Sequence, residues 1–319
     1  MKLAVFCISG LCTQVLGRLR LAALDDIAYH DVASTIPIAP ITSWTSAWTG
    51  VDPAVHGKFT GARGKTPKLE TVWDRVKQAG YDVALHKEGD WDGIKADVHV
   101  YRLDSMANLL LAEDLSGAQE SLNGLAKIIS EVQNLGVPYI ILSAFGVNQY
   151  VMSLNVDRLL MARNLMQMSE RNGVLYEKTY AYPADYTGRK PRMTYGIFVN
   201  TIDSESGFVE MHEATAIEGD LLAQLNQVDD IEARSAHQVY DIGGAYYPEL
   251  PAIVFRSYGR TCFRSTGNTA MNILTPYNHY NLSPTGMIAA SDERLIQGVN
   301  SVTDFGTSIL RAIRGGQDE

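Results

Sequence analysis

The stretch Pro40 to Gly61, PITSWTSAWTGVDPAVHGKFTG, decides how the chain is read. Thr42, Ser43 and Thr45 stand at the start of an apolar helix pattern, Thr49-Gly50 and Pro53 follow, and His56-Gly57 comes near the end. A Ser or Thr at a helix N-terminus faces unpaired backbone N–H groups and is placed to meet an anion, as a nucleophile turn requires. The plainer reading of the same hydroxyls is an N-cap, which satisfies those N–H groups and does nothing else.

Outward from this stretch the chain alternates strands and helices. Leu3 to Ile8 is a short apolar run closed by Ser9-Gly10, the pattern of a buried strand ending in a turn. Thr71 to Gln78 reads as a helix stopped by Gly80, with a strand over Tyr81 to Leu85. Leu122, Leu125, Ile128, Ile129 and Val132 recur at helical spacing up to Gly136, and Tyr139 to Leu142 is a continuous apolar strand. From Thr194 to Val209 two short strands flank the polar turn Asp203 to Gly207, which predicts a hairpin. Ala252 to Arg256 and Met287 to Ala290 add strands, and Phe305, Ile309, Leu310 and Ile313 mark a last helix with Thr303 as N-cap and Gly315 beyond its end. Such alternation predicts an α/β class.

A net charge of −9 repels the phosphates of nucleic acid, so no nucleic-acid partner is expected. Three cysteines without a close pair indicate neither a disulfide framework nor a thiolate zinc site, which suits a cytoplasmic location. The apolar start is short and lacks a cleavage site, and no stretch reaches the ~20 apolar residues of a membrane helix, so no membrane association is expected.

The pattern Trp-Thr-Ser, two residues, Thr-Gly, two residues, Pro, two residues, His-Gly resembles the nucleophile segment of the type I phosphodiesterase/nucleotide pyrophosphatase family of the alkaline phosphatase superfamily. Leu69 to Gly80 resembles that family's Trp-containing helix. Tyr139 to Met161 is similar to its Ser-Asp-His-Gly strand end and following helix, and Gly286 to Ala290 and Ser301 to Gly315 to its last strand and closing helix. The resemblance spans nearly the whole chain. It implies a single domain over 1–319: an alkaline phosphatase-like three-layer sandwich with a mostly parallel central sheet, helices on both faces and a small β cap or hairpin insertion around 180–250.

The family uses two divalent ions, usually zinc, held by aspartates and histidines around a Thr, Ser or Cys nucleophile, because the metals polarise the phosphoryl oxygens. This sequence departs from that pattern. Ser9 stands where the resemblance puts the first Asp, and Ala144 and Phe145 replace Asp-His between Ser143 and Gly146. The family's Asp-x-x-x-His falls on Asp104 and Asn108, and its late histidine near Leu282, with His279 and Asn281 close by. The nucleophile position falls on Pro40, or on Thr42 or Ser43 if the loop is two residues shorter.

The preferred expectation is therefore a reused fold: a metal-independent pocket acting on a small molecule, with phosphoester hydrolysis lost and no cofactor. Asp104, His279 and Thr42 are its candidate catalytic residues, and Ser9, Ser43, Asn108, Ser143, Phe145, Tyr277 and Asn281 its candidate binding residues. The alternatives are a phosphodiesterase or phosphatase with rearranged ligands for zinc or manganese, and a pseudoenzyme that only binds a ligand or partner. Asp104 reads equally as a helix cap, and Tyr277 to Asn281 as a surface loop. His56 reads as a buried structural histidine. Asp90, Asp92, Asp97, His86 and His99 form a loose group, but Asp97 to Val100 alternates as a strand with one exposed face. Arg256, Arg260 and Arg264 offer an anion-binding edge or are ordinary surface arginines.

Overall fold

The computed structural model describes residues 1–59, 68–88, 96–169, 173–185, 192–204, 207–265 and 272–315. Its strands are β1 (Leu3–Ile8), β2 (Ala28–Ala33), β3 (Val83–His86), β4 (Val98–Leu103), β5 (Tyr139–Ser143), β6 (Gly146–Asn155) and β7 (Ala181–Asp185). They continue with β8 (Arg192–Val199), β9 (Ile231–Ser235), β10 (Ile253–Ser257), β11 (Thr261–Ser265), β12 (Leu274–Ser283) and β13 (Thr285–Ala290).

The residues group into two compact units. The first holds 1–51, 67–148 and 280–319, the second 52–66 and 149–279. The first unit contains a six-stranded sheet in the order β2-β13-β5-β1-β4-β3. β1 runs parallel to β4 and β5, β3 parallel to β4, and β13 antiparallel to β5 and β2. β1 and β5 are buried along their whole length, as expected of strands covered on both faces. The α/β class is as the alternation predicts.

Local chemistry fixes the connections. Thr71 accepts from the backbone N–H of Asp74 while Asp74 accepts from that of Thr71, a capping box that starts the helix Val72–Gln78. The helix Leu115–Asn134 buries Leu122, Leu125, Ile129 and Val132 in one stripe. Gly10, at φ +94°, ends β1 where a Cβ would lie 3.0 Å from the Ala107 backbone, so the turn after Ser9 requires glycine.

Four local readings need correction. The hairpin lies between β7 and β8 rather than across Asp203 to Gly207, where a parallel bridge joins Thr201 to Val209. β6 intervenes between Gly146 and the helix Val156–Ala162. β4 has no alternating exposed face: Val98 to Tyr101 are all buried, His99 to 1 % exposure, as in a strand whose two faces are both covered. The last helix, Phe305–Ile313, starts after a capping box from Ser301 to Asp304, with no cap from Thr303.

The second sheet has the order β12-β6-β11-β8-β10-β9, with β7 paired to β8. The 180–250 stretch expected as an insertion falls wholly within the second unit.

Candidate functional site

In the first unit β1, β4 and β5 deliver Ser9, Asp104 and Ser143 just past or at their C-terminal ends. The Ser9 backbone N–H donates to the Leu103 carbonyl at 3.1 Å, which holds the Ser9 hydroxyl beside Asp104. That hydroxyl donates to Asp104 Oδ1 at 3.2 Å and accepts from Trp44 Nε1 at 3.1 Å. The other carboxylate oxygen, Oδ2, pairs with Arg102 Nη2 at 2.8 Å. Asp104 precedes the helix Ser105–Leu111 but its side chain caps nothing, so its carboxylate is committed to Ser9 and Arg102. Asn108 lies exposed one turn along that helix.

Trp44 belongs to the helix Pro40–Thr49, whose N-cap is Ala39 without a side-chain bond. Thr42 and Ser43 therefore lie inside the first turn rather than at the cap, and both are fully buried. Ser43 Oγ lies 3.1 Å from Ser34 Oγ and 3.0 Å from Thr35 Oγ1. Ser34 in turn donates to the Ala144 carbonyl at 2.6 Å. Trp44 stacks on Trp48 at 4.8 Å, and Trp48 meets Trp73 at 5.2 Å.

At the end of β5 the Ser143 hydroxyl accepts from the Leu11 N–H at 3.1 Å and donates to the Phe145 carbonyl at 2.8 Å. Ser143, Ala144 and Phe145 are each fully buried. The residues at the two positions that the resemblance assigns to metal ligands thus pack as core, and neither carries a donor. Asp104 is the one carboxylate of this constellation. Among the described residues no group of three or more His, Cys, Asp or Glu is placed to hold a metal ion. Two zinc ions need several converging anionic or imidazole ligands, and this donor set does not fit them.

Tyr277 and His279 belong to the second unit, where their rings meet edge to face at 5.1 Å. Asn281 is in the first unit, nearly buried, with its Oδ1 accepting from the Leu282 N–H at 2.8 Å. His56 is buried, its Nδ1 accepts from the Lys58 N–H at 2.9 Å, and burial with the nearby Lys58 charge pushes its pKa down to about 4. In the loose Asp/His group, His86 Nε2 and His99 Nδ1 share a hydrogen bond at 2.9 Å, and Asp97 accepts from the Asp82 N–H; Asp90 and Asp92 lie outside the described residues. A cavity of about 550 Å³ lies between β4 and the helix Leu115–Asn134, lined by Glu88, Tyr101, Leu103, Glu120 and Leu125 among others, and neither Ser9 nor Asp104 lines it.

Sequence reasoning missed Trp44 and Arg102. Both had a signal, since Trp44 lies inside the deciding stretch and Arg102 stands two residues before Asp104, on the same face of the strand end.

No family model and no curated protein matches the sequence. Among solved structures, phosphonoacetate hydrolase from Sinorhizobium meliloti, in complex with phosphonoformate, matches with a TM-score of 0.63 at 10 % identity over 98 % of this chain and 96 % of that one. The fold is alkaline phosphatase-like. A murine ectonucleotide pyrophosphatase/phosphodiesterase 5 in complex with AMP shares this alkaline phosphatase-like fold at a TM-score of 0.58 and 10 % identity, over 98 % and 95 % of the two chains. Its human counterpart matches at 0.57 and 10 % identity, over 98 % and 95 %.

Proposed function

We propose that this alkaline phosphatase-like chain binds a small polar molecule at the Ser9–Asp104 end of its central sheet and has lost two-metal phosphoester hydrolysis. The observation that carries this reading is the full burial of Ala144 and Phe145 at the end of β5, packed as core where the resemblance implies ligands. Asp104 keeps a partly exposed carboxylate and Arg102 a partly exposed guanidinium, so a ligand meets an acceptor and a donor side by side. Ser9, held by Trp44, fixes the orientation of the carboxylate. Any proton transfer at this site falls to Asp104, the group that reaches solvent.

The test is elemental analysis of protein grown with added zinc and manganese, followed by an assay with bis-p-nitrophenyl phosphate. We expect metal well below one equivalent per chain and no chelator-sensitive hydrolysis. Near two equivalents together with chelator-sensitive hydrolysis would overturn the proposal.

A further inference from the structure

On one face of the second sheet, two buried polar atoms have no hydrogen-bond partner among the described residues. β11 runs parallel to β6, with Cys262 opposite Ser153 and Arg264 opposite Asn155. It runs antiparallel to β8, with Arg264 opposite Met193. Side chains two residues apart on a strand share a face, as do cross-strand partners. Tyr195, Cys262, Arg264 and Ser153 therefore point to one side. Ser153 Oγ lies 2.9 Å from Thr275 Oγ1, which brings Thr275, and two residues on Tyr277, to the same side. The Arg264 guanidinium sits over the Tyr277 ring at 5.0 Å, which confirms the placement.

On this face the Tyr195 hydroxyl is buried with no hydrogen-bond partner among the described residues, in a residue only 3 % exposed. Arg264 Nε is likewise buried without one, and Arg264 forms no ion pair among the described residues. Burial and the neighbouring Tyr150, Cys262 and Tyr277 push the Tyr195 phenol well above its usual pKa, so it stays a neutral O–H donor. A buried donor left unsatisfied destabilises the fold, and a half-buried cation with no counter-charge among the described residues adds to that cost. One kind of guest satisfies both groups at once. It is an anion that accepts from the phenol and matches the planar fork of the guanidinium.

We propose that this face of the second sheet binds a small organic anion, with Arg264 clamping its carboxylate or phosphoryl group and Tyr195 donating to it. The Tyr277 ring stacks against the guanidinium at 5.0 Å and restrains it. The site lies wholly within the second unit and does not depend on Asp104.

The test is thermal unfolding of the whole chain in inorganic phosphate or acetate at constant ionic strength, against chloride. Wild-type protein should show a saturable rise in Tm with at least one of the two anions. Phosphate alone identifies a phosphoryl guest and acetate alone a carboxylate, and either supports the site. Tyr195→Phe should unfold about 2 °C higher without added anion, since it removes an unpaired buried hydroxyl, yet bind the anion about tenfold more weakly. Arg264→Gln should abolish the anion-dependent rise, with Arg264→Lys as a second variant if Gln does not fold. No saturable rise over chloride in the wild type, or the same rise in Tyr195→Phe and the Arg264 variants, would overturn the proposal.

Discussion

At the end of the central sheet, Ser9, Ser34, Ser43 and Ser143 each hold their hydroxyl against two polar partners, whereas on the second sheet the Tyr195 hydroxyl and Arg264 Nε are buried with none among the described residues. The buried serine hydroxyls of the first region are satisfied within the protein, and what stays open to a guest there is the partly exposed pair of Asp104 and Arg102. That region's hydrogen bonds run from Trp44 through Ser9 to Asp104, and Ala144 and Phe145 fill the space behind. The second is incomplete, and two buried donors left open on one face give a guest something to satisfy. Resemblance to known enzymes directs attention to the first region, while the physical state of the groups directs it to the second.

The strongest way to break this comparison is to empty the first region. Phe145→Ala removes a fully buried ring and should cost about 3–5 kcal/mol, read as a lower urea midpoint. A loss below about 1 kcal/mol would show that the end of β5 is loosely packed.

His56 probes the second unit through pH. Its folded pKa of about 4 lies below the unfolded 6.5, so between those values the unfolded chain binds a proton that the native chain excludes. The stability due to neutral His56 is complete above pH 6.5 and is lost as pH falls towards 4, by roughly 3 kcal/mol in all. Urea unfolding at pH 7 and pH 4.5 should show this loss, and His56→Asn should lessen it. An unchanged pH dependence in the variant would contradict the buried neutral imidazole.

The smallest effect sharpens the contrast of sign. Ser9→Ala leaves the Trp44 indole N–H without its acceptor and should destabilise by roughly 1–2 kcal/mol, while Tyr195→Phe should stabilise. Two hydroxyl deletions of the same sign would erase the distinction between the regions.

The sequence was most legible where one strong local signal acts alone. Leu3 to Ile8 and Tyr139 to Leu142 are runs that only a covered sheet buries, and the structure has β1 and β5 there. The helix stopped at Gly136 is equally plain, because that glycine adopts φ +66°. Legibility failed where long-range contacts decide. Asp97 to Val100 alternates in sequence, yet both faces of β4 are covered and His99 is buried on the side read as exposed. The polar turn Asp203 to Gly207 looked like a hairpin tip, but β8 has β7 as its partner, a choice made by long-range contacts that no local pattern records. At the site the absent ligands could be read residue by residue from Ser9, Ala144 and Phe145. What replaces them could not, since the Trp44–Ser9–Asp104 chain joins residues 35 and 95 positions apart.

The indole stack has an optical meaning. Three of the chain's four tryptophans, Trp44, Trp48 and Trp73, lie ring to ring, and the first is hydrogen-bonded to Ser9. Excitation taken up by any of them is shared along the ladder, so the near-ultraviolet dichroism and much of the emission report on a single neighbourhood. A guest that tugs on the Ser9 hydroxyl changes the colour balance of the whole stack, and the protein serves as its own unlabelled dye for that end of the sheet.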